Sequence, residues 1–141
     1  KSVTPTPIRV KMIEAAVASN SSFRMETIEL QREGPSYTYD TMLLLAKKYP
    51  DTSFYFIIGA DMVEYLPKWH NIEKLLEIIT FVGVKRPGYT FSTKYPVIEV
   101  ETPQMDISST LIRKRVQKGW TSQYLVPDQV KEIIEEKRLY E

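Results

Sequence analysis

Phe54-Tyr55-Phe56-Ile57-Ile58 is an unbroken apolar run, bounded by Pro50-Asp51 before it and Gly59 after it. Five such residues between two chain-breaking signals are too few for a helix. They suit a strand at the centre of a sheet, covered on both faces, as strands of parallel sheets are. The rest of the chain is constrained by this run, because a parallel strand needs crossover connections, usually helices, on either side of it.

The flanking patterns supply them. Thr6-Pro7 followed by Ile8, Val10, Met12, Ile13, Ala16 and Val17 predicts a helix with a threonine cap and proline in its first turn, ended by Asn20-Ser21-Ser22. Phe23 to Leu30 alternates apolar and polar side chains and predicts a half-buried strand. After the turn Gly34-Pro35-Ser36, a helix is predicted near Tyr39 to Tyr49, with Met42, Leu43, Leu45 and Ala46 inward. Ile72 to Ile79 reads as a helix, Thr80 to Val84 as a strand stopped by Pro87-Gly88, and Val97 to Val100 as a short strand. Helices near Ser109–Lys118 and Val126–Lys137 follow. Strands alternating with helices predict an α/β fold with a parallel sheet. Such a fold normally begins on a strand and this chain begins on a helix, so an opening strand and helix are expected to be missing from it.

Composition narrows the chemistry. The 141 residues suffice for one domain with a core, and 43% hydrophobic with 26% charged residues is ordinary for a soluble globular protein. A net charge of +1 provides no broad field for nucleic acid or anionic membrane, so neither is expected as a partner. The absence of cysteine removes disulfides, thiolate metal sites and cysteine nucleophiles, and fits a cytoplasmic location. His70 is the only histidine, which excludes a multi-histidine metal site.

Ligands of open parallel sheets bind beyond the carboxyl ends of the strands. Three segments are expected there. In Gly59-Ala60-Asp61 the glycine permits close approach of a ligand, and Asp61 can accept from sugar hydroxyls or meet a hydrated cation; the plainer reading is a tight turn with an aspartate cap. Lys85-Arg86 can neutralise a phosphate or simply be solvated. Asp106-Ile107-Ser108-Ser109-Thr110 opens a helix, with Arg113 and Arg115 within about a turn, and reads either as an anion site or as ordinary capping. No glycine-rich phosphate loop accompanies it. Trp69 in the loop Leu66 to Asn71 is a core plug or a stacking platform for a flat ring. His70 as a lone base has no identifiable partner. Tyr37-Thr38-Tyr39 sits at a helix start, where Thr38 caps the helix or a bound carboxylate meets the same N–H groups.

Taken in order, Gly34-Pro35-Ser36-Tyr37-Thr38-Tyr39-Asp40-Thr41, Phe56-Ile57-Ile58-Gly59-Ala60-Asp61-Met62, Leu66-Pro67-Lys68-Trp69, Arg86-Pro87-Gly88-Tyr89, Ile107-Ser108-Ser109-Thr110-Leu111-Ile112-Arg113, and the ending Tyr124-Leu125-Val126-Pro127 with Leu139-Tyr140 resemble the bacterial nicotinate mononucleotide adenylyltransferases over nearly the whole chain. The resemblance implies a Rossmann-like nucleotidyltransferase fold, with residues 1–141 as a single, amino-terminally incomplete domain. It implies adenylyl transfer from ATP to nicotinate mononucleotide with Mg²⁺, giving deamido-NAD and pyrophosphate in NAD biosynthesis. It assigns Gly59, Asp61, Ile107, Ser108, Ser109 and Arg113 to ATP, and Thr38, Tyr39, Trp69, His70 and Arg86 to nicotinate mononucleotide. In the latter set Trp69 stacks on the ring, and backbone N–H groups near Thr38 and at His70 hold the carboxylate. The family often has tyrosine where His70 stands. Its amino-terminal Gly-x-Phe-x-Pro-x-His-x-x-His, whose histidines stabilise the phosphates in the transition state, has no counterpart here. No catalytic residue is therefore assigned, and the chain alone is expected to be inactive. A homo-oligomer is left open. The alternatives are a related nucleotidyltransferase with another acceptor, or a non-catalytic nucleotide-binding or assembly module.

Overall fold

Three parallel strands organise the computed structural model, which describes residues 4–85, 92–103 and 105–141. The elements are α1 (Thr6–Val17), a 3₁₀ turn (Ile28–Gln31), α2 (Thr38–Lys48), β1 (Phe54–Gly59), α3 (Ala60–Val63), a second 3₁₀ turn (Leu66–Lys68), α4 (Ile72–Leu76), β2 (Ile79–Lys85), β3 (Val97–Glu101), α5 (Ser109–Gln117) and α6 (Asp128–Glu136). The sheet order is β1-β2-β3, with Phe56 opposite Phe81 and Phe81 opposite Val97. Both pairings are parallel, as the α/β pattern predicts.

The chain divides into two compact units, Thr27–Met105 and Lys1–Glu26 with Asp106–Glu141. The first holds the sheet and the main core. Phe81, Leu66, Leu75 and Val63 are fully buried there, joined by Met42, Ile58, Ile72 and Ile79. Each such side chain removed from water contributes about 1.5–3 kcal/mol. In α2, Thr41 and Met42 are buried and Leu43, Leu45 and Ala46 half-buried, close to the expected inward face.

The second unit holds α1, α5 and α6. Val130 and Ile134, one turn apart on α6, are buried, and α1 packs against α6. The expected threonine cap is absent from α1, since Thr6 lies inside the helix and its hydroxyl accepts from Arg9 Nη2 at 3.0 Å. The end of α5 is a Schellman motif: Gly119 takes φ +68°, Trp120 N–H donates to Arg115 O at 2.9 Å, and Gly119 N–H donates to Val116 O at 2.9 Å.

Three expectations are corrected. In the sheet formed by the described residues the apolar run is not central. β1 lies at one end of the sheet order, and Tyr55 and Ile57 are 62% and 70% exposed, so only the face of Phe54, Phe56 and Ile58 turns to the core. An unbroken run reports β geometry but not how many faces are covered. Phe23 to Leu30 is not a strand. Residues 23–27 are irregular and lead into the 3₁₀ turn, with no ladder partner among the described residues. The segment is tied down instead by Thr41 Oγ1, which donates to Glu29 Oε1 at 2.7 Å. Third, α4 ends at Leu76, before Ile79 opens β2. Among the described residues no helix is long and apolar enough to cross a membrane.

Candidate functional site

Because the strands are parallel, Gly59, Lys85 and Glu101 bring their carboxyl ends to one edge of the sheet. A cavity of about 390 Å³ opens there, lined by Gly59, Ala60, Asp61, Val84, Thr102, Pro103 and Met105. This is where ligands of open α/β sheets bind. Gly59 ends β1 and precedes α3 with φ −68°, ψ 154°, backbone values open to any residue. Its glycine leaves room for a neighbouring side chain. A Cβ at this position would stand 2.6 Å from Asp61 Oδ1. Asp61 makes no hydrogen bond or ion pair among the described residues, so its carboxylate does not act as a helix cap and remains available to the cavity.

Lys85 is placed differently from the phosphate reading. Its ammonium pairs with Glu99 on β3, which already balances its charge. Arg86, expected at the same edge, lies outside the described residues, as does the rest of Arg86-Pro87-Gly88-Tyr89.

A second hollow of about 400 Å³ lies in the same unit, lined by Ser36, Tyr37, Thr38, Lys68, Trp69 and His70. Trp69 is a core plug that also lines the hollow. Its ring meets Phe56 edge-on at 5.9 Å and 90°, and Phe81 at 5.6 Å and 82°, so it packs onto the core while lining the hollow. Thr38 does not cap α2. The cap position is Tyr37, and no side chain satisfies the first turn there. The unpaired N–H groups of that turn, at the positive end of an 11-residue helix, favour an anion. Tyr39 packs against the core and meets His70 edge-on at 6.3 Å. Tyr37 lies over His70, ring centres 4.5 Å apart and planes tilted by 32°. Lys68, whose Nζ is 5.2 Å from the Tyr65 ring centre, is the cation of the lining. Tyr37 and Lys68 belong to the sequence motifs, but sequence reasoning gave neither a role. Spacing along the chain shows neither the ring contact nor the shared hollow.

The α5 start, in the other unit, is a capped helix. Ser108 Oγ accepts from Leu111 N–H at 3.2 Å, and Ser109 Oγ accepts from Arg113 Nη2 at 3.1 Å. The N–H groups of Ser109 and Thr110 remain at its open end. Ile107, just before it, is 38% exposed. Arg115 is not part of this group. Its Nε donates to Thr121 O at 2.9 Å and its guanidinium lies 5.6 Å from the centre of the Trp120 ring, so it braces the turn after α5.

The cytidylyltransferase-like family matches residues 1–115. A probable nicotinate-nucleotide adenylyltransferase of Geobacillus thermodenitrificans is 63% identical over 138 residues, covering 98% of this chain and 64% of the relative. The chain thus spans less than two thirds of that relative's length. One from Bacillus cytotoxicus is 57% identical over 141 residues, covering all of this chain and 75% of the relative. Among solved structures, the Plasmodium falciparum nicotinic acid mononucleotide adenylyltransferase complexed with NaAD superposes with a TM-score of 0.74 at 22% identity, covering 99% of this chain and 76% of that one. That likeness establishes the Rossmann-like fold.

Proposed function

The chain belongs to the cytidylyltransferase-like family, among its nicotinate-nucleotide adenylyltransferases, and on that premise we propose that it serves adenylyl transfer from ATP to nicotinate mononucleotide, yielding deamido-NAD and pyrophosphate in NAD biosynthesis in the cytoplasm. The observation that carries this reading is the hollow that joins an aromatic wall, Trp69, to an uncapped helix start at Thr38. A flat pyridine ring with a carboxylate matches those two features together. In this reading the nicotinate ring stacks on Trp69, and the N–H groups at Thr38 and His70 hold its carboxylate. Tyr39 supports the His70 side of the hollow, and Arg86 is assigned to the acceptor by resemblance.

The cavity at the strand ends supports a nucleotide beside Gly59 and Asp61. Ile107, Ser108, Ser109 and Arg113 are assigned to ATP by resemblance. The family match runs through both units, which supports reading residues 1–141 as parts of one nucleotidyltransferase domain. Among the described residues no three His, Cys, Asp or Glu side chains group to hold a metal. Mg²⁺ is therefore read as arriving with the ATP phosphates, which suits an ion that keeps most of its water, and Asp61 would meet that water shell. The transfer is an in-line attack of the acceptor phosphate on the α-phosphorus of ATP. It needs alignment and charge stabilisation, with no covalent nucleophile from the protein.

Two measurements test this. Nicotinate mononucleotide titrated into the protein should bind saturably, and W69A should weaken it by roughly tenfold or more. The complete gene product with ATP, Mg²⁺ and nicotinate mononucleotide should release pyrophosphate and form deamido-NAD. Equal rates with nicotinate and nicotinamide mononucleotides would contradict carboxylate recognition.

A further inference from the structure

A hollow of about 570 Å³, larger than either described above, lies between the end of α5, the loop 119–122 and one face of α6. Its size is in the usual range for small-molecule sites. All of its lining belongs to residues 116–141, within a single unit. None of those residues has a part in the ATP or nicotinate mononucleotide sites.

The walls are fixed before any ligand arrives. The Schellman turn at Gly119 ends α5. Arg115 Nε holds the loop through Thr121 O at 2.9 Å, and Thr121 Oγ1 accepts from Gln123 N–H at 3.0 Å. Leu125 N–H donates to Ser122 O at 3.1 Å. The Trp120 ring, 55% exposed, is steadied by the Arg115 guanidinium and by Lys118 Nζ, 4.7 Å from its centre. A preformed wall spares a ligand the cost of ordering it.

Two polar groups of the lining stand idle. Ser122 is only 4% exposed, yet its hydroxyl makes no hydrogen bond among the described residues. A buried hydroxyl without a partner costs the fold, and a bound ligand would relieve that cost. The side-chain amide of Gln117, on the last turn of α5, makes none either. Val116 and the buried Ile134 add apolar surface beside Trp120. Charge narrows the ligand further. Lys131 Nζ lies 3.4 Å from Glu135 Oε1, and Glu141 adds a second carboxylate, so the lining carries a negative surplus that disfavours a phosphate.

The matching ligand is flat and uncharged, with hydrogen-bonding atoms on its edge. An amide offers a donor beside an acceptor, which pairs with the amino group and N7 of adenine. Guanine shows two acceptors on that edge and calls for a guanidinium, and Arg115 is already committed to Thr121 O. We propose that this hollow is a binding site for adenine, free or as its uncharged nucleoside, additional to the strand-end cavity. The Ser122 hydroxyl and the Gln117 amide read the base edge, and Trp120, Val116 and Ile134 hold its body. The ATP site should prefer phosphates, so the two sites rank adenosine and AMP in opposite orders.

The experiment follows the indole N–H resonance of Trp120 in the complete protein labelled with ¹⁵N, identified by its loss in W120F. Adenine, adenosine, AMP and guanosine are titrated separately. Adenosine should shift the resonance saturably, with AMP and guanosine each weaker by about threefold or more. S122A should weaken adenosine by roughly three- to tenfold, the effect of one neutral hydrogen bond. Its melting temperature should not fall, because the hydroxyl has no partner in the fold to lose. Q117A should abolish the preference for adenosine over guanosine. Adenine that binds as well as adenosine would make the base alone the ligand, and a silent adenine would make it the nucleoside; either fits. A Trp120 resonance that ignores both, that answers AMP more tightly than adenosine, or that responds equally in S122A would overturn the proposal. So would shifts confined to the Gly59 amide, which would put adenosine in the strand-end cavity alone.

Discussion

The Asp61 carboxylate occupies the space that a side chain on Gly59 would need: a Cβ there would lie 2.6 Å from Asp61 Oδ1. Gly59 is therefore glycine for clearance, since φ −68° is open to every residue. The two positions work as one unit at the mouth of the strand-end cavity.

G59A should displace the Asp61 carboxylate while sparing the fold. The backbone accepts alanine, and losing a glycine stabilises a compatible site by about 0.4–1 kcal/mol, so the melting temperature should hold or rise. Affinity for a non-hydrolysable ATP analogue should fall about tenfold, or about 1.4 kcal/mol. Calorimetry beside a thermal melt separates the two effects. Unchanged affinity would remove Asp61 from the nucleotide site.

Trp69 should cost stability as well as binding. Its edge-on contacts with Phe56 and Phe81 tie the loop to the core. W69A should lose about 2–4 kcal/mol in a urea titration, near the lower part of the range for large aromatic truncations because the ring is only half-buried. W69F should retain more than half of that. A loss below about 0.5 kcal/mol, the range of ordinary surface changes, would mean that the ring is not part of the core.

Arg113 and Arg115, two residues apart, should separate cleanly. R115A removes the bond to Thr121 O and the contact with Trp120, and should cost about 1 kcal/mol of stability without weakening ATP. R113A should leave stability within about 0.5 kcal/mol and weaken ATP severalfold. The opposite pattern would exchange the roles assigned to them.

Thr41 is buried and donates to Glu29, a side-chain hydrogen bond between α2 and the 3₁₀ turn. T41V keeps the volume and removes the donor. A hydrogen bond to a charged acceptor of this kind contributes about 1.5–3 kcal/mol, so T41V should shift the denaturation midpoint accordingly. T41S should recover most of the loss.

The sequence conveyed the parallel sheet well, because the apolar run and the helical spacing around it are local signals. The exposure of one face of β1 among the described residues was not legible, since Tyr55 and Ile57 look identical in sequence whether or not anything packs on them. Phe23 to Leu30 was misread, because alternation describes one strand and says nothing of a partner to pair with. The Gly59–Asp61 segment follows a strand as expected, and the clearance its glycine gives a neighbouring carboxylate was not legible from spacing. Thr38 was expected as a cap or a neighbour of bound carboxylate, and α2 proves to have no side-chain cap. The stacking of Tyr37 on His70 was invisible, because two distant loops meet only after the core has formed.

The uncapped start of α2 has one more consequence. A side-chain cap is worth about 1 kcal/mol to a helix, and α2 forgoes it. Without a ligand, water must serve those N–H groups, and the first turn is left to fray. A bound carboxylate would complete the helix, acting as a detachable part of the fold. Occupancy should therefore register as slower amide exchange at the beginning of α2, and as a melting temperature that climbs with ligand concentration.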